Sequence, residues 1–490
     1  MKKRRVLLFV LPYVVKNIDS SRSKIRSFLA FPYGLLSVAT YNKEYADIEI
    51  IDLGTFDHPV PIVEIAVQRF KPDIVGFTMM FDNSYRYLNA CLEAVRMANL
   101  ECLTVLGGAA ASYSYQEILD EQPHLDAICY SEGEVPLRDL LESASPFECL
   151  DDHPSWVTRE SIRRFQVPRV SYIENLDEVI DIDYSFVDGI QYDMQEAFSP
   201  YANQIKDKKQ FFLVTSRGCP FKCTFCSNAT IHGKQMRFAS VAKIIEHVDD
   251  LVNQYGMNVL TIYDDQLLIH PPRAKELFRR LAPYGLRIEC PNGLSPAFID
   301  EEMARLMHDA GLDTAYLAIE SGSEYVLNTL IKKPLKLEQV KPAVDALHHN
   351  GIFVHGFFVV GMPGETDEMR QETVNFIREV DLDWAGFNPA TPVRGSVLYD
   401  ECISKGWIKK QRIGEIEDKK YIINVPGVDP KHVIDSINDM NRLINFEYNR
   451  SVRVGNWWTA QRCFEEVLAR YEGHQLAKRM IDFISGGEGE

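Results

Sequence analysis

Short apolar runs separated by helix-length stretches recur along most of this chain, and that alternation restricts the fold more than any other property of the sequence. In the first third the runs stand at residues 6–11, 48–53, 74–79, 103–106 and 127–130. Five strands with intervening helices predict an α/β domain over residues 1–150, built on a doubly wound parallel sheet. Sheets of this kind bind ligands beyond the carboxyl ends of their strands, where the sequence places Thr78, Gly107, Gly108, Ser131 and Gly133.

The rhythm breaks over residues 151–209, which carry prolines and acidic residues without a period and are read as an ordered linker. It resumes with apolar runs near Phe211, Val259, Leu286, Thr314, Phe353 and Trp384, each but the last followed by a helix-like stretch. That pattern predicts a six-stranded partial barrel over residues 210–400. Ser240 is placed to cap a helix that buries Ile244, Ile245, Val248 and Val252 and stops at Gly256, and residues 296–310 read as a helix ended by Gly311. Past residue 400 the strands give out. Residues 433–446 and 457–471 have amphipathic helical spacing, predicting a helical region over 401–490.

Composition narrows the function classes. A chain of 490 residues is too long for one ordinary core. No apolar run approaches the roughly 20 residues that span a bilayer, and residues 6–15 are broken by Pro12 and lack a cleavage pattern, so a cytoplasmic protein is expected. A net charge of −17 disfavours a nucleic-acid partner. Ten scattered cysteines on such a chain argue against a disulfide framework and direct attention to clustered spacing.

One cluster exists. Residues 216–227 read SRGCPFKCTFCS and place Cys219, Cys223 and Cys226 on a loop directly after the first barrel strand. Three thiolates can hold three irons of a [4Fe-4S] cluster and leave the fourth open to a small molecule, whereas an electron-transfer cluster normally takes four cysteines. A zinc site would need a fourth ligand such as His232, and zinc motifs usually come as two separated pairs.

The spacing of three and then two residues, with Phe225 before the last cysteine, resembles the radical S-adenosylmethionine (SAM) superfamily. The resemblance covers about residues 211–400 and implies a partial TIM barrel in which SAM chelates the open iron. It also implies an external electron donor such as flavodoxin or ferredoxin, and a 5′-deoxyadenosyl radical that takes hydrogen from a small-molecule substrate. In the family, the position of Tyr263, Asp264 and Asp265 meets the SAM amino group. Glu320, Ser321, Gly322 and Ser323 resemble the segment at its ribose and carboxylate, and residues 361–366, beginning at Gly361, follow the fifth strand as in many members. The residues themselves allow other uses. Asp264 and Asp265 can cap a helix, residues 361–366 can form a turn with Thr366 as N-cap, and Glu320 at the end of an apolar strand needs a partner. Where relatives often read Pro-Gly-Thr-Pro, this chain has residues 391–396, TPVRGS, in which Arg394 either reaches an anionic substrate group or lies along the surface.

Joined to such a barrel, the N-terminal domain is similar to the Rossmann-like domain of the cobalamin-binding subclass. The similarity rests on Phe31, Pro32, Tyr33 and Gly34, on Gly107 and Gly108, and on residues 131–134, with Pro12 and Tyr13 opening the loop after the first strand. Glycines there permit close approach of a corrin edge or nucleotide tail. The Asp-x-His-x-x-Gly pattern that supplies an axial histidine in many cobalamin proteins is missing, since residues 12–23 contain no histidine. The function expected is cobalamin-dependent C-methylation. The alternatives are cyclisation, ring rearrangement or carbon–carbon coupling on the same plan, or a non-enzymatic iron–sulfur or cobalamin sensor. A methylthiotransferase acting on RNA is disfavoured because no second cysteine set is present. Trp384, Phe387, Trp457 and Trp458 would suit a ring-bearing substrate, although such residues more often form core.

Overall fold

The computed structural model describes residues 3–15, 26–27, 31–99, 101–164, 168–190, 192, 198–201, 204–414 and 421–487. The chain forms two compact units. One comprises Met1–Gln195, Ser227–Gly233 and Lys409–Asp418, the other Glu196–Cys226, Lys234–Ile408 and Lys419–Glu490.

The first unit is built on strands β1 (Arg4–Val10), β2 (Ala46–Asp52), β3 (Ile74–Thr78), β4 (Leu103–Gly107), β5 (Ala127–Cys129) and β6 (Trp156–Val157), in the order β2-β1-β3-β4-β5-β6. The first five are parallel, as their apolar runs predict, and β6 pairs antiparallel to β5. At two residues, β6 is too short to leave a periodic signal. Helices α1 (Tyr33–Asn42), α2 (Pro59–Phe70), α3 (Tyr85–Ala98) and α4 (Glu134–Glu142) carry the connections. Leu7, Phe9, Val75, Phe77, Leu106 and Ile128 of the strands pack with Val63 and Val67 of α2 and Leu88 and Leu92 of α3. The strand order reverses between β1 and β3, and sheets of this kind bind ligands at the carboxyl ends beside such a reversal.

The second unit carries β7 (Gln210–Leu213), β8 (Val259–Ile262), β9 (Arg287–Glu289), β10 (Thr314–Glu320), β11 (Phe353–Val360) and β12 (Trp384–Pro389). The parallel sets β7-β8-β9 and β10-β11-β12 are joined by parallel bridges at Ile288–Leu312 and Leu294–Leu317, giving six strands in chain order. Helices α5 (Val241–Tyr255), α6 (Pro271–Leu281), α7 (Glu301–Asp309), α8 (Val340–His349), α9 (Asp367–Val380) and α10 (Val397–Ser404) follow the strands. Ser240 caps α5 by accepting from the Lys243 N–H, and Gly256 ends it at φ 65°.

Two expectations are corrected. The helix expected from residue 296 is a three-residue 3-10 turn followed by α7, because Asp300 accepts from the Met303 N–H and so satisfies an orphan donor one turn later. The last strand, expected to lack a helix, is followed by α10, capped by Ser396. The C-terminal region is helical, with α11 (Pro430–Arg442), α12 (Trp457–Arg470) and α13 (Gln475–Gly487). Phe446 and Phe464 from it pack with Trp384. Among the described residues no helix is long and apolar enough to cross a membrane.

Candidate active site

The cysteine loop leaves the barrel after β7 and is closed at its base by a short antiparallel pair, Ser216 with Phe238 and Arg217 with Arg237. Asp264, at the carboxyl end of β8, braces that base. Its carboxylate accepts from the Thr215 N–H at 2.5 Å, the Thr215 hydroxyl at 2.6 Å and the Ser216 hydroxyl at 2.6 Å. Burial raises this carboxyl, and the three donors act against the rise. Neither Asp264 nor Asp265 caps a helix, since α6 takes His270 as its cap. Arg273 adds a second tie, donating to the Thr215 carbonyl at 2.9 Å and the Ala239 carbonyl at 3.1 Å.

The middle of the loop is held through Thr224, a residue the sequence reading passed over. Its N–H donates to the Ile331 carbonyl at 2.8 Å, its hydroxyl to the Leu330 carbonyl at 2.7 Å, and its carbonyl accepts from the Leu398 N–H at 2.8 Å. Cys223 and Phe225 pack against the cluster of Val326, Ile331, Met362 and Leu398. A hydroxyl inside a cysteine motif is the available signal, but its partners lie 106 to 174 positions on.

Cys219, Cys223 and Cys226 are not joined in disulfides and are partly exposed. Burial pushes the Cys223 thiol up to about 12, with the Lys333 ammonium acting the other way. Burial also raises the Cys219 thiol, opposed by the Phe221 N–H and by Lys333. Unmetallated, the Cys219 and Cys223 thiols hold their protons at neutral pH, and iron binding must displace them. The donor set fits an iron–sulfur cluster. Among the described residues no three such ligands are drawn around one point that could hold a single ion, and a cluster taking one thiolate per iron does not require it. His232, the fourth ligand a zinc site would have needed, has its Nδ1 on the Glu132 carboxylate at 3.1 Å.

Glu320 ends β10 past a bulge at φ 71° and finds the partner its position demands in Lys333, whose ammonium donates to it at 2.9 Å. Ser321 and Gly322 are tied to α9 through the Thr373 hydroxyl, at 3.3 and 3.1 Å. A β-carbon on Gly322 would stand 2.6 Å from Phe376 Cβ, so only glycine lets α9 close on this loop. Thr366 caps α9. Arg394 is buried rather than spread along the surface, its guanidinium 5.8 Å from the Tyr399 ring centroid, because a delocalised cation can be accommodated against an aromatic face. Trp384 is core, stacked on Phe198 at 4.2 Å, and Phe387 stacks on Phe358, whereas Trp457 and Trp458 are exposed.

Gly361, at φ 89° after β11, donates its N–H to the Glu365 carboxylate and accepts from the Tyr421 hydroxyl at 2.9 Å. Burial pushes the Glu365 carboxyl up to about 7, against the Gly361 N–H and Arg370. The folded state therefore keeps this proton to about pH 7, while the unfolded chain releases it near the ordinary 4.5. The associated stability is present below the lower value and lost as pH rises through the higher. Urea unfolding between pH 5 and pH 8 is expected to show a loss of about 3 kcal/mol from this group that is absent in Glu365→Gln.

In the first unit, Thr78, Gly107, Gly108, Ser131 and Gly133 all lie at or just past the carboxyl ends of β3, β4 and β5. Pro12 is buried and Tyr13 packs on Phe81 with ring centroids 4.0 Å apart, at the ends of β1 and β3. Residues 16–25 of the loop that follows lie outside the described residues. Ser131, at φ 74°, donates its N–H to the Ser112 hydroxyl at 2.9 Å and its own hydroxyl to the Ile231 carbonyl. Gly133 is the N-cap of α4. Gly108 sits at φ 100°, and a β-carbon there would lie 2.5 Å from the Met79 carbonyl oxygen. Gly108→Ala is expected to lower unfolding stability by roughly 3 kcal/mol through backbone strain and this clash. Gly107→Ala, whose β-carbon would meet nothing closer than Cys129 Cβ at 3.9 Å, is expected to change it by less than about 1 kcal/mol. Denaturant unfolding of the two variants checks the contrast.

Comparison with known proteins matches residues 213–377 to the radical SAM superfamily and residues 26–141 to the B12 binding domain. Cytidylyl-2-hydroxyethylphosphonate methyltransferase of Streptomyces wedmorensis is 30% identical over 431 residues, 81% of this chain and 79% of that protein. An uncharacterized methyltransferase of Pyrococcus horikoshii is 28% identical over 82% of this chain and 84% of its own length. In fold, the chain matches the radical SAM methyltransferase TsrM from Kitasatospora setae, solved with tryptophan substrate and a SAM analog. The TM-score is 0.65 at 16% identity, covering 91% of this chain and 90% of that one. With its cysteine loop on a partial barrel and its doubly wound N-terminal sheet, the chain belongs to the radical SAM superfamily, in the subclass that carries a cobalamin-binding domain.

Proposed function

We propose that this enzyme methylates an unactivated carbon of a small-molecule substrate, with Cys219, Cys223 and Cys226 holding a [4Fe-4S] cluster. The observation that carries the reading is the three-thiol loop, braced at its base by Asp264 and in its middle by Thr224. When bound, the cluster supplies the electron that cleaves SAM to methionine and a 5′-deoxyadenosyl radical, and cobalamin supplies the methyl group. The domain over residues 210–400 would hold the cluster and SAM, with Phe225, Asp264, Asp265, Glu320, Ser321 and Gly361 forming or supporting the SAM site. The domain over 1–150 would hold cobalamin at Pro12, Tyr13, Thr78, Gly107, Gly108, Ser131 and Gly133. Residues 151–209, read as a linker, contribute β6 to the first sheet, and residues 401–490 would form a helical region. An external one-electron donor of the flavodoxin or ferredoxin type would reduce the cluster.

Anaerobically purified full-length protein, reconstituted with iron, sulfide and hydroxocobalamin, is expected to hold about four irons per chain together with corrin absorbance. Turnover with its substrate should yield S-adenosylhomocysteine together with 5′-deoxyadenosine. Retention of iron without corrin, or 5′-deoxyadenosine as the only SAM-derived nucleoside, would overturn methyl transfer in favour of cyclisation or rearrangement.

A further inference from the structure

Lys333 is a buried ammonium built into the support of the cysteine loop. It follows the π-helical turn Val326–Ile331 that comes after β10, where Lys332 turns the chain at φ 61°. Its N–H donates to the Leu327 carbonyl at 3.0 Å and its ammonium to Glu320 at 2.9 Å, with side-chain exposures of 8% and 11%. The carbonyls of Leu330 and Ile331, just ahead of it, take both donors of Thr224, the residue next to Cys223. The ion pair is thus fastened to the same backbone that positions the thiols. Ile331, two residues ahead of Lys333, belongs to the apolar cluster against which Cys223 packs.

A buried ion pair adds little net stability over a well-packed apolar pair, so stability alone gives no reason for one at this place. Reduction of an iron–sulfur cluster adds one negative charge, and the potential at which it occurs depends on the charge and hydrogen bonding around the sulfurs. We propose that the Lys333–Glu320 pair sets the reduction potential of the cluster, the ammonium favouring the added electron and the carboxylate limiting that effect. The step is a one-electron transfer from an external reductant to the cluster, with no bond formed or broken and no proton moved. The inference rests on the cluster reading above.

The test is a potentiometric titration of the full-length, anaerobically reconstituted protein without SAM, poised with dithionite and followed by the EPR signal of the reduced cluster, with iron and sulfide counted for each variant. Lys333→Met is expected to lower the ratio of reduced to oxidised cluster at fixed potential about tenfold, or 59 mV for one electron. Glu320→Gln should shift the midpoint the opposite way, and Lys333→Arg should leave it near the parent value. A merely structural role would not produce shifts of opposite sign. Equal midpoints in all variants, or shifts of one sign in Lys333→Met and Glu320→Gln, would overturn this inference alone. A parent protein that assembles no cluster would overturn the function reading and this inference with it.

Discussion

Replacing Cys219, Cys223 or Cys226 singly by alanine is expected to abolish cluster retention and to reduce 5′-deoxyadenosine formation to background, while the fold survives. In the proposed cluster each thiolate would ligate one iron, and no other cysteine stands on the loop to replace it. The cofactor carries the difficult chemistry, so a chain without it has no alternative route to the radical. Stability should change little, because the three side chains are partly exposed and the loop is held by Asp264 and Thr224 rather than by the thiols. A thermal midpoint shift within about 2 to 4 °C is expected, the response to roughly 1 kcal/mol in a domain of this size. Cys149, also partly exposed but outside the motif, provides the control, and Cys149→Ala should leave iron content and product unchanged. Iron analysis and product chromatography on the four variants decide the matter. Full iron retention in any of the first three would remove that cysteine from the ligand set.

Asp264→Ala is expected to destabilise the second unit by about 3 to 5 kcal/mol, the usual consequence of removing one member of a buried, hydrogen-bonded charged network. The carboxylate is 4% exposed and serves three donors at the exit of β7. Without it the Thr215 N–H and two hydroxyls lose their acceptor in a site closed to water. The same donors fix where the cysteine loop begins, so cluster retention should fall with stability. Asp264→Asn keeps the volume and one acceptor oxygen and should recover part of both. Denaturant unfolding and iron content measured side by side check this, and an unchanged unfolding midpoint in Asp264→Ala would show that the brace is not Asp264.

Legibility in the sequence followed the distance between the groups concerned. Each of the eleven strands read from apolar runs lies within a residue or two of its expected place, because strand period and neighbouring turns are local properties. The Ser240 cap and the Gly256 stop, three and four residues from the groups they satisfy, are equally visible. The start of α7 was misplaced because Pro296 and Asp300 both offer helix starts, and only the backbone shows that the chain uses the second.

By itself the sequence determined the α/β class with its two sets of parallel strands, the three thiols on one loop and the glycines at the strand ends, since covalent spacing and hydrophobic period alone produce them. The tertiary structure decided what those groups touch. Asp264 reaches back 49 residues to Thr215, Thr224 reaches forward 106 to Leu330, and Lys333 closes on Glu320 across 13. Arg394 went inside and Gly108 proved to be required by the Met79 carbonyl. A side chain's type shows that it needs a hydrogen-bond or charge partner. Which partner it receives is set only when packing brings distant segments together and excludes water from between them.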